Sequence, residues 1–139
     1  MRAELQEIVD DFAESPKSLR LAILLDFANN LPPVPETIDR DALERVHECQ
    51  TPFFVAAEID ERRRVALHFD APPEAPTTRG YAGVLAAGLS GATVDEVLDT
   101  PADFFVRMGL NELISPLRLR GMGAILARVK RQVVEKSGG

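Results

Sequence analysis

The sequence contains one cysteine, Cys49, and only two histidines, His47 and His68. A single cysteine excludes an internal disulfide. Zinc and iron–sulfur sites generally take three or four ligands, so we expect no bound metal. Disulfides are rare in the cytoplasm, and a lone reduced thiol fits a cytoplasmic protein.

The sequence also lacks long apolar runs, a signal-peptide pattern and an excess of positive charge. No segment is apolar enough to span a bilayer, and acidic residues interrupt the first fifteen positions, where a signal peptide has its apolar core. The chain has 16 Lys and Arg against 22 Asp and Glu, for a formal net charge of −6. Phosphate binding requires concentrated positive charge, so nucleic acid is not an expected partner. Neither a Walker-type phosphate loop nor a dinucleotide fingerprint is present.

Helical patterns open the chain. Apolar residues at helical spacing predict a first helix around residues 5–12. Ser15 and Pro16 have the residue types expected at the N-cap and first position of a second helix, which reaches about Ala28.

The middle of the chain is typical of β-structure. Residues 53–59 are rich in aromatic and branched side chains, and residues 65–69 alternate apolar with other types. The polar residues 60–62 between them predict an antiparallel hairpin. Residues 43–46 are expected to add a short third strand, and residues 71–76, with three prolines, form a loop.

Helical patterns return in the second half. One helix is expected from Arg79, and three more have capping residues or prolines at their starts, at Thr93, Thr100-Pro101 and Ser115-Pro116. Gly80 and Gly83 are interpreted as sites of close packing, and Arg128 of the last helix is expected to face water. The order of helices, small antiparallel sheet and further helices predicts one α+β domain over residues 1–139, with flanking helices packed on the sheet. At 45% hydrophobic, such a chain can build its own core.

Cys49 lies in a polar segment just before the predicted hairpin. Loops held by a rigid scaffold are typical positions of accessible, reactive cysteines, yet a lone cytosolic cysteine is more often a small buried hydrophobe. The thiolate is the reactive form. Glu48 would raise the pKa of the thiol, and a protonated His47 would lower it. A cysteine hydrolase is disfavoured, because His47 is poorly placed as a base and His68 falls on a predicted strand.

Four segments resemble motifs of the SufE-type sulfur-acceptor proteins, in that family's order. Residues 46–51 (VHECQT) resemble the V-x-G-C-Q-S around the family's acceptor cysteine. Residues 74–80 (EAPTTRG) resemble its acidic residue, small apolar stretch and basic-Gly pair, and residues 110–121 (LNELISPLRLRG) its S/T-P-x-R-x-x-G helix start. Leu31-Pro32 matches the L-P after the second helix. The resemblance covers residues 19–131 and implies the SufE/IscU-like α+β fold.

Two departures from the family's pattern indicate a divergent branch. Glu48 stands where the family has glycine and adds a negative charge beside the thiol. Residues 51–54 (TPFF) replace a typical S-x-V-W. Family members shelter the acceptor cysteine in an apolar pocket and expose it on docking; Phe53, Phe54 and the helix with Tyr81 are expected to form this pocket or to be plain core.

The resemblance implies that Cys49 takes sulfur from a pyridoxal-phosphate cysteine desulfurase as a persulfide. The sulfur then passes to a scaffold that assembles iron–sulfur clusters. Pyridoxal phosphate belongs to the desulfurase, so this chain is expected to carry no cofactor and to dock onto protein partners, not a membrane. Two alternatives stay open: a rhodanese-type sulfurtransferase as the partner, and a non-catalytic adaptor in which Cys49 is inert.

The resemblance also assigns supporting residues around Cys49. Arg118 matches the motif arginine, which would stabilise a thiolate, bind an acidic partner surface or pair with a carboxylate near the helix start. Glu74 matches the acidic position before a helix, where its charge would favour the helix N-terminus. Gln50 would position the loop, and His47 flanks it.

Overall fold

A three-stranded antiparallel sheet lies between two groups of helices along the chain. The computed structural model describes residues 1–138. The strands, in spatial order, are β1 Glu44–Arg45, β2 Phe54–Ile59 and β3 Val65–Asp70. The helices are α1 Ala3–Glu14, α2 Lys17–Asn29, α3 Pro76–Leu89, α4 Val94–Leu98, α5 Phe104–Arg107 and α6 Pro116–Lys136, with 3-10 turns at Arg40–Ala42 and Leu110–Glu112. The predicted α+β class is confirmed, including the short third strand. No helix in the described range is long and apolar enough to cross a membrane.

The hairpin of β2 and β3 follows the sequence pattern. Alternate β3 residues are buried, as predicted: Val65, Leu67 and Phe69. The turn is closed by Asp60, whose carboxylate accepts backbone N–H bonds from Arg62 and Arg64 over 2.9 Å each. His68 Nε2 lies 3.0 Å from Glu58 Oε1 on the paired strand. His68 is therefore a half-buried strand residue, as predicted.

Helix α3 packs against α2 through two glycines. A Cβ added at Gly80 would lie 2.4 Å from the carbonyl oxygen of Leu24, and one added at Gly83 would lie 2.4 Å from that of Phe27. Only glycine allows the two helix backbones to approach this closely. The close-packing interpretation of both glycines is therefore confirmed.

Three helix boundaries differ from the predicted ones. Ser15 ends α1 because its N–H donates to carbonyls of the last turn, and Pro16 precedes α2 as its N-cap. Helix α3 begins at Pro76, three residues early, since proline is favoured at a first helical position. Thr100 opens no helix, because its hydroxyl donates to the carbonyl of Glu96 over 3.0 Å.

The last helix, α6, packs across the sheet. Its N-cap Ser115 accepts the N–H of Arg118 over 3.4 Å, as the sequence predicted. The predicted apolar stripe is buried: Met122, Ile125, Leu126, Val129 and Val133. Gln132 accepts the N–H of Ala57 over 2.7 Å and donates to the carbonyl of Val55 over 3.2 Å. Because β1 pairs only with Phe54 and Val55, this amide is the partner of the Ala57 N–H, which β1 does not reach.

Candidate functional site

Cys49 lies in the connection between β1 and β2, here called the Cys49 loop (residues 47–52). Val46 N–H donates to the carbonyl of Phe53 over 2.8 Å, and Cys49 N–H donates to that of Val46 over 3.1 Å. Val46 and Phe53 are fully buried, so the neck of the loop is anchored in the core. Most side chains of the loop are exposed, whereas that of Cys49 turns inward and the residue is 9% exposed.

The thiol packs against α6 at Gly121. A Cβ added there would lie 3.2 Å from Cys49 Sγ, which is closer than nearly all side-chain contacts of that kind. Ser115 caps α6 so that Gly121 falls in its second turn. The glycine of the S/T-P-x-R-x-x-G segment therefore makes room for the thiol.

A cleft of about 60 Å³ opens beside the thiol, where three distant chain segments meet: the Cys49 loop, the start of α3 and the start of α6. Four of the five residues singled out from the sequence line it: Cys49, Gln50, Glu74 and Arg118. The fifth, His47, is exposed on the loop and lies outside the cleft. The hydroxyls of Thr77 and Thr78 also line it and were not predicted. A signal for them was present, since both belong to the 74–80 motif segment.

The size of the cleft limits what it can hold. Its volume is far below the roughly 300–1,000 Å³ of pockets for drug-sized ligands and cofactors, yet it leaves room for an added sulfur atom. Within residues 1–138, no group of three or more His, Cys, Asp or Glu side chains is arranged to hold a metal ion.

Arg118 extends over the cleft from the first turn of α6. Its Nη1 donates to Thr77 Oγ1 over 3.4 Å, and no carboxylate of residues 1–138 lies within ion-pairing distance of its guanidinium. Its positive charge therefore has no anionic partner among the residues that the structure describes. Leu117 beside it is 45% exposed and forms an apolar rim. Glu74 is exposed just before the N-cap of α3, where the helix dipole favours a negative charge.

The expected apolar pocket is wrong for Phe53 and Phe54, whereas the Tyr81 helix, α3, does line the cleft, through Thr77 and Thr78. Phe53 is fully buried beneath the loop, with its ring 6.0 Å from that of Phe69, and neither Phe53 nor Phe54 lines the cleft. Tyr81 is buried further along α3 and stacks on Phe104 at 5.6 Å. The thiol is sheltered by the first turn of α3 and the first two turns of α6. Phe53 and Tyr81 belong to the buried core, which was the alternative interpretation, whereas Phe54 is half-buried on β2.

Burial and two charged neighbours determine the pKa of the Cys49 thiol. Burial raises the pKa of Cys49, the adjacent Glu48 carboxylate raises it further, and Arg128 lowers it. His47 is not among these causes. Of the two loop residues that the sequence analysis considered, Glu48 is therefore the one that shifts the pKa of Cys49. A hydrogen bond from Arg128 holds the pKa of Glu48 below its ordinary value, which keeps that carboxylate charged. The resting thiol is therefore protonated at neutral pH.

Arg128 is a further residue near the thiol that sequence reasoning missed. It was expected to face water, but its side chain is 18% exposed, with Nη2 2.8 Å from Glu48 Oε1 and Nε 3.2 Å from Glu44 Oε2. A signal was present in the spacing, because Arg128 follows Gly121 by seven residues, about two helical turns, and so shares its face. That spacing gains meaning only once Gly121 is known to meet the Cys49 loop.

The chain is similar to proteins of known sequence and structure. The SufE family model, described as an Fe-S metabolism associated domain, matches residues 6–133. A SufE-like protein of Mycobacterium tuberculosis (strain H37Rv) is 51% identical over 133 residues, which are 96% of this chain and 93% of that protein. SufE-like protein 1, chloroplastic/mitochondrial, of Arabidopsis thaliana is 32% identical over 133 residues, covering 94% of this chain and 35% of that one.

The fold has a solved counterpart as well. The solution structure of a hypothetical protein from Thermus thermophilus matches with a TM-score of 0.90 and 42% identity, over 100% of this chain and 99% of that chain. The family match spans nearly all of the sequence, and three of the four motif segments that suggested it meet around one thiol. The chain belongs to the SufE family, whose domain is associated with iron–sulfur metabolism.

Proposed function

We propose that this protein is a sulfur acceptor, which takes a sulfur atom from a cysteine desulfurase onto Cys49 as a persulfide. The observation that carries the proposal is the convergence of three motif segments, distant in sequence, around the one thiol of the chain. The sulfur is then passed to a scaffold that assembles iron–sulfur clusters. We place this transfer in the cytoplasm, where thiols stay reduced.

The transfer is a thiol exchange. The thiolate of Cys49 attacks the outer sulfur of a persulfide on the desulfurase, so that a new S–S bond forms at Cys49 and the S–S bond of the donor breaks. The donor cysteine leaves as a thiolate and takes up the proton that Cys49 lost. The outer sulfur keeps its oxidation state, and the step needs no oxidant or reductant. Pyridoxal phosphate acts earlier, on the desulfurase.

The resting geometry protects the thiol. Burial and the neighbouring Glu48 favour the protonated form, which is poorly nucleophilic and resists oxidation. Attack requires the thiolate, so docking must change this environment. Arg118 lines the cleft without an anionic partner among residues 1–138, and we assign it to the anionic thiolate or persulfide. The exposed Leu117 beside it would contact the partner.

Intact-protein mass spectrometry after incubation with free cysteine and an active cysteine desulfurase tests the proposal. We expect a gain of one sulfur atom, removed by reductant and absent in Cys49→Ser. Circular dichroism of Cys49→Ser serves as the folding control. If the desulfurase is active and the wild-type chain gains no sulfur, the proposal is overturned. A gain only from a rhodanese-type persulfide would then change the donor, and no gain from either would make the chain an adaptor.

Arg118 provides a second variant for the same assay. We expect Arg118→Ala to slow sulfur acceptance about tenfold, because a charge-assisted hydrogen bond to the anion is lost. Arg120→Ala is the matched control, since Arg120 is exposed on the same helix and does not line the cleft. Equal rates of sulfur acceptance in the two variants would show that Arg118 has no role in the transfer.

A further inference from the structure

Arg128 joins two carboxylates that flank the Cys49 loop. Its guanidinium contacts Glu44 on β1, before the loop, and Glu48 within the loop, at 3.2 Å and 2.8 Å. The guanidinium is carried by α6, the helix against which the thiol rests at Gly121. One side chain therefore connects the strand, the loop and the helix around Cys49.

The two ends of this connection differ in how firmly they are held. Glu44 also receives hydrogen bonds from Arg131 and from Gln132, the latter over 3.0 Å, so its carboxylate is fixed from several sides. Glu48 has Arg128 as its one ionic partner within residues 1–138. No other side chain of loop residues 47–52 makes a hydrogen bond or ion pair in that range. Apart from its backbone neck, the loop is thus attached through the Glu48–Arg128 contact and the packing of the thiol.

We propose that Arg128 is a positioning residue for sulfur transfer, which holds the Cys49 loop on α6 through Glu48. Breaking this ion pair is the step by which a docking partner releases the loop. The inference rests on the proposed function for its purpose, but the contact itself can be tested on the isolated chain. The carboxylate involved belongs to the position that departs from the family's glycine.

A purely electrostatic role for Arg128 predicts the opposite result. The positive charge favours the thiolate, so removing it from a loop that stays closed would slow alkylation of Cys49 at neutral pH and leave the rate unchanged at a pH where every thiol is ionised. Removing it from a loop that it holds down would speed alkylation, because the thiol becomes accessible. A faster rate at a pH where every thiol is ionised therefore distinguishes the two roles.

The experiment measures the alkylation rate of Cys49 by iodoacetamide in the full chain, over a pH series that reaches the plateau. At the plateau every thiol is ionised and the rate reports access alone. We expect Arg128→Gln and Glu48→Gln each to raise the plateau rate about threefold to fivefold, the range for a partly exposed ion pair. The double variant should exceed neither single variant, because both remove the same contact. Arg128→Lys should return the rate towards that of the wild type.

Arg131→Gln is the matched control, since Arg131 shares Glu44 but does not contact Glu48. Its plateau rate should equal that of the wild type. An unchanged or lower rate in Arg128→Gln, or an equal rise in Arg131→Gln, overturns the inference. If Arg128→Gln does not fold, Glu48→Gln tests the same contact from the exposed loop. No desulfurase is present in this assay, so its outcome is independent of whether the chain accepts sulfur.

Discussion

Two of the contacts in which a glycine lets another element approach a helix differ in what approaches. At Gly80 and Gly83 of α3, the neighbouring atoms are backbone carbonyls of α2, 2.4 Å from where a Cβ would lie. At Gly121 of α6, the neighbouring atom is the sulfur of Cys49, 3.2 Å from such a Cβ. The first contact joins two helices, whereas the second joins a helix to a loop.

This difference separates the rigid part of the molecule from the part that can open. In the α2–α3 contact, the backbone of one helix packs directly against the backbone of the other. Neither backbone can move away without displacing its whole helix. The Cys49 loop is held by its neck, one ion pair and the packed thiol, and most of its side chains already face water. Segments with few buried contacts open at low free-energy cost. A reactive thiol on a separable loop, carried by a rigid scaffold, suits a group that must be both sheltered and delivered.

The largest effect on the free energy of unfolding is expected at the α2–α3 contact. We expect Gly80→Ala to lower the free energy of unfolding by about 2 kcal/mol, because overpacking exceeds the ~1 kcal/mol that alanine gains over glycine in a helix. Urea denaturation measures this change. Gly123→Ala on α6 is the control, since a Cβ there meets nothing within 4 Å and should stabilise the chain slightly. If Gly80→Ala were as stable as Gly123→Ala, α2 and α3 would not be locked together.

A smaller effect on stability is expected on the loop side. We expect Gly121→Ala to stay within about 0.5 kcal/mol of the wild type, because the gain in helix propensity offsets the displaced thiol. The added Cβ pushes the sulfur of Cys49 outward by a few tenths of an ångström. Because this displacement exposes the thiol, its alkylation rate should rise about twofold to fourfold. A loss of stability as large as that of Gly80→Ala would contradict this comparison. It would show that the Cys49 loop is held on α6 as firmly as α2 is held on α3.

The smallest expected effect is a shift in pH dependence. Burial and Glu48 both raise the pKa of Cys49, so alkylation should rise with pH through a midpoint above that of the same thiol in the urea-unfolded chain. Glu48→Gln removes one of these causes, and its midpoint should fall towards the unfolded value. Stopped-flow alkylation over a pH series measures both midpoints. A wild-type midpoint at or below the unfolded one would contradict the sheltered site.

Local patterns predicted most of the fold. The alternation of Val65, Leu67 and Phe69 gave β3, and Ser115 followed by proline gave the start of α6. The errors lie at boundaries where two signals compete. Ser15 has the residue type of an N-cap, yet its N–H completes the last turn of α1, so it ends one helix instead of opening the next.

The site residues that belong to the family motifs could be predicted from the sequence. Gln50, Glu74 and Arg118 were selected by resemblance, and they meet around Cys49 in one cleft. Arg128 lies outside those motifs, and its partners are 80 and 84 residues away along the chain. Such a contact depends on how α6 crosses the sheet, which no local pattern encodes.

The central claim is that Cys49 is sheltered at rest and delivered to a partner. Its most direct test is the alkylation rate of Cys49 at neutral pH, measured with increasing amounts of a cysteine desulfurase whose own reactive cysteine has been changed to serine. Our account predicts a rate that is slow for the chain alone and rises to saturation as the complex forms. A rate that stays flat while the complex forms would contradict it, because Cys49 would then remain buried when sulfur has to be transferred.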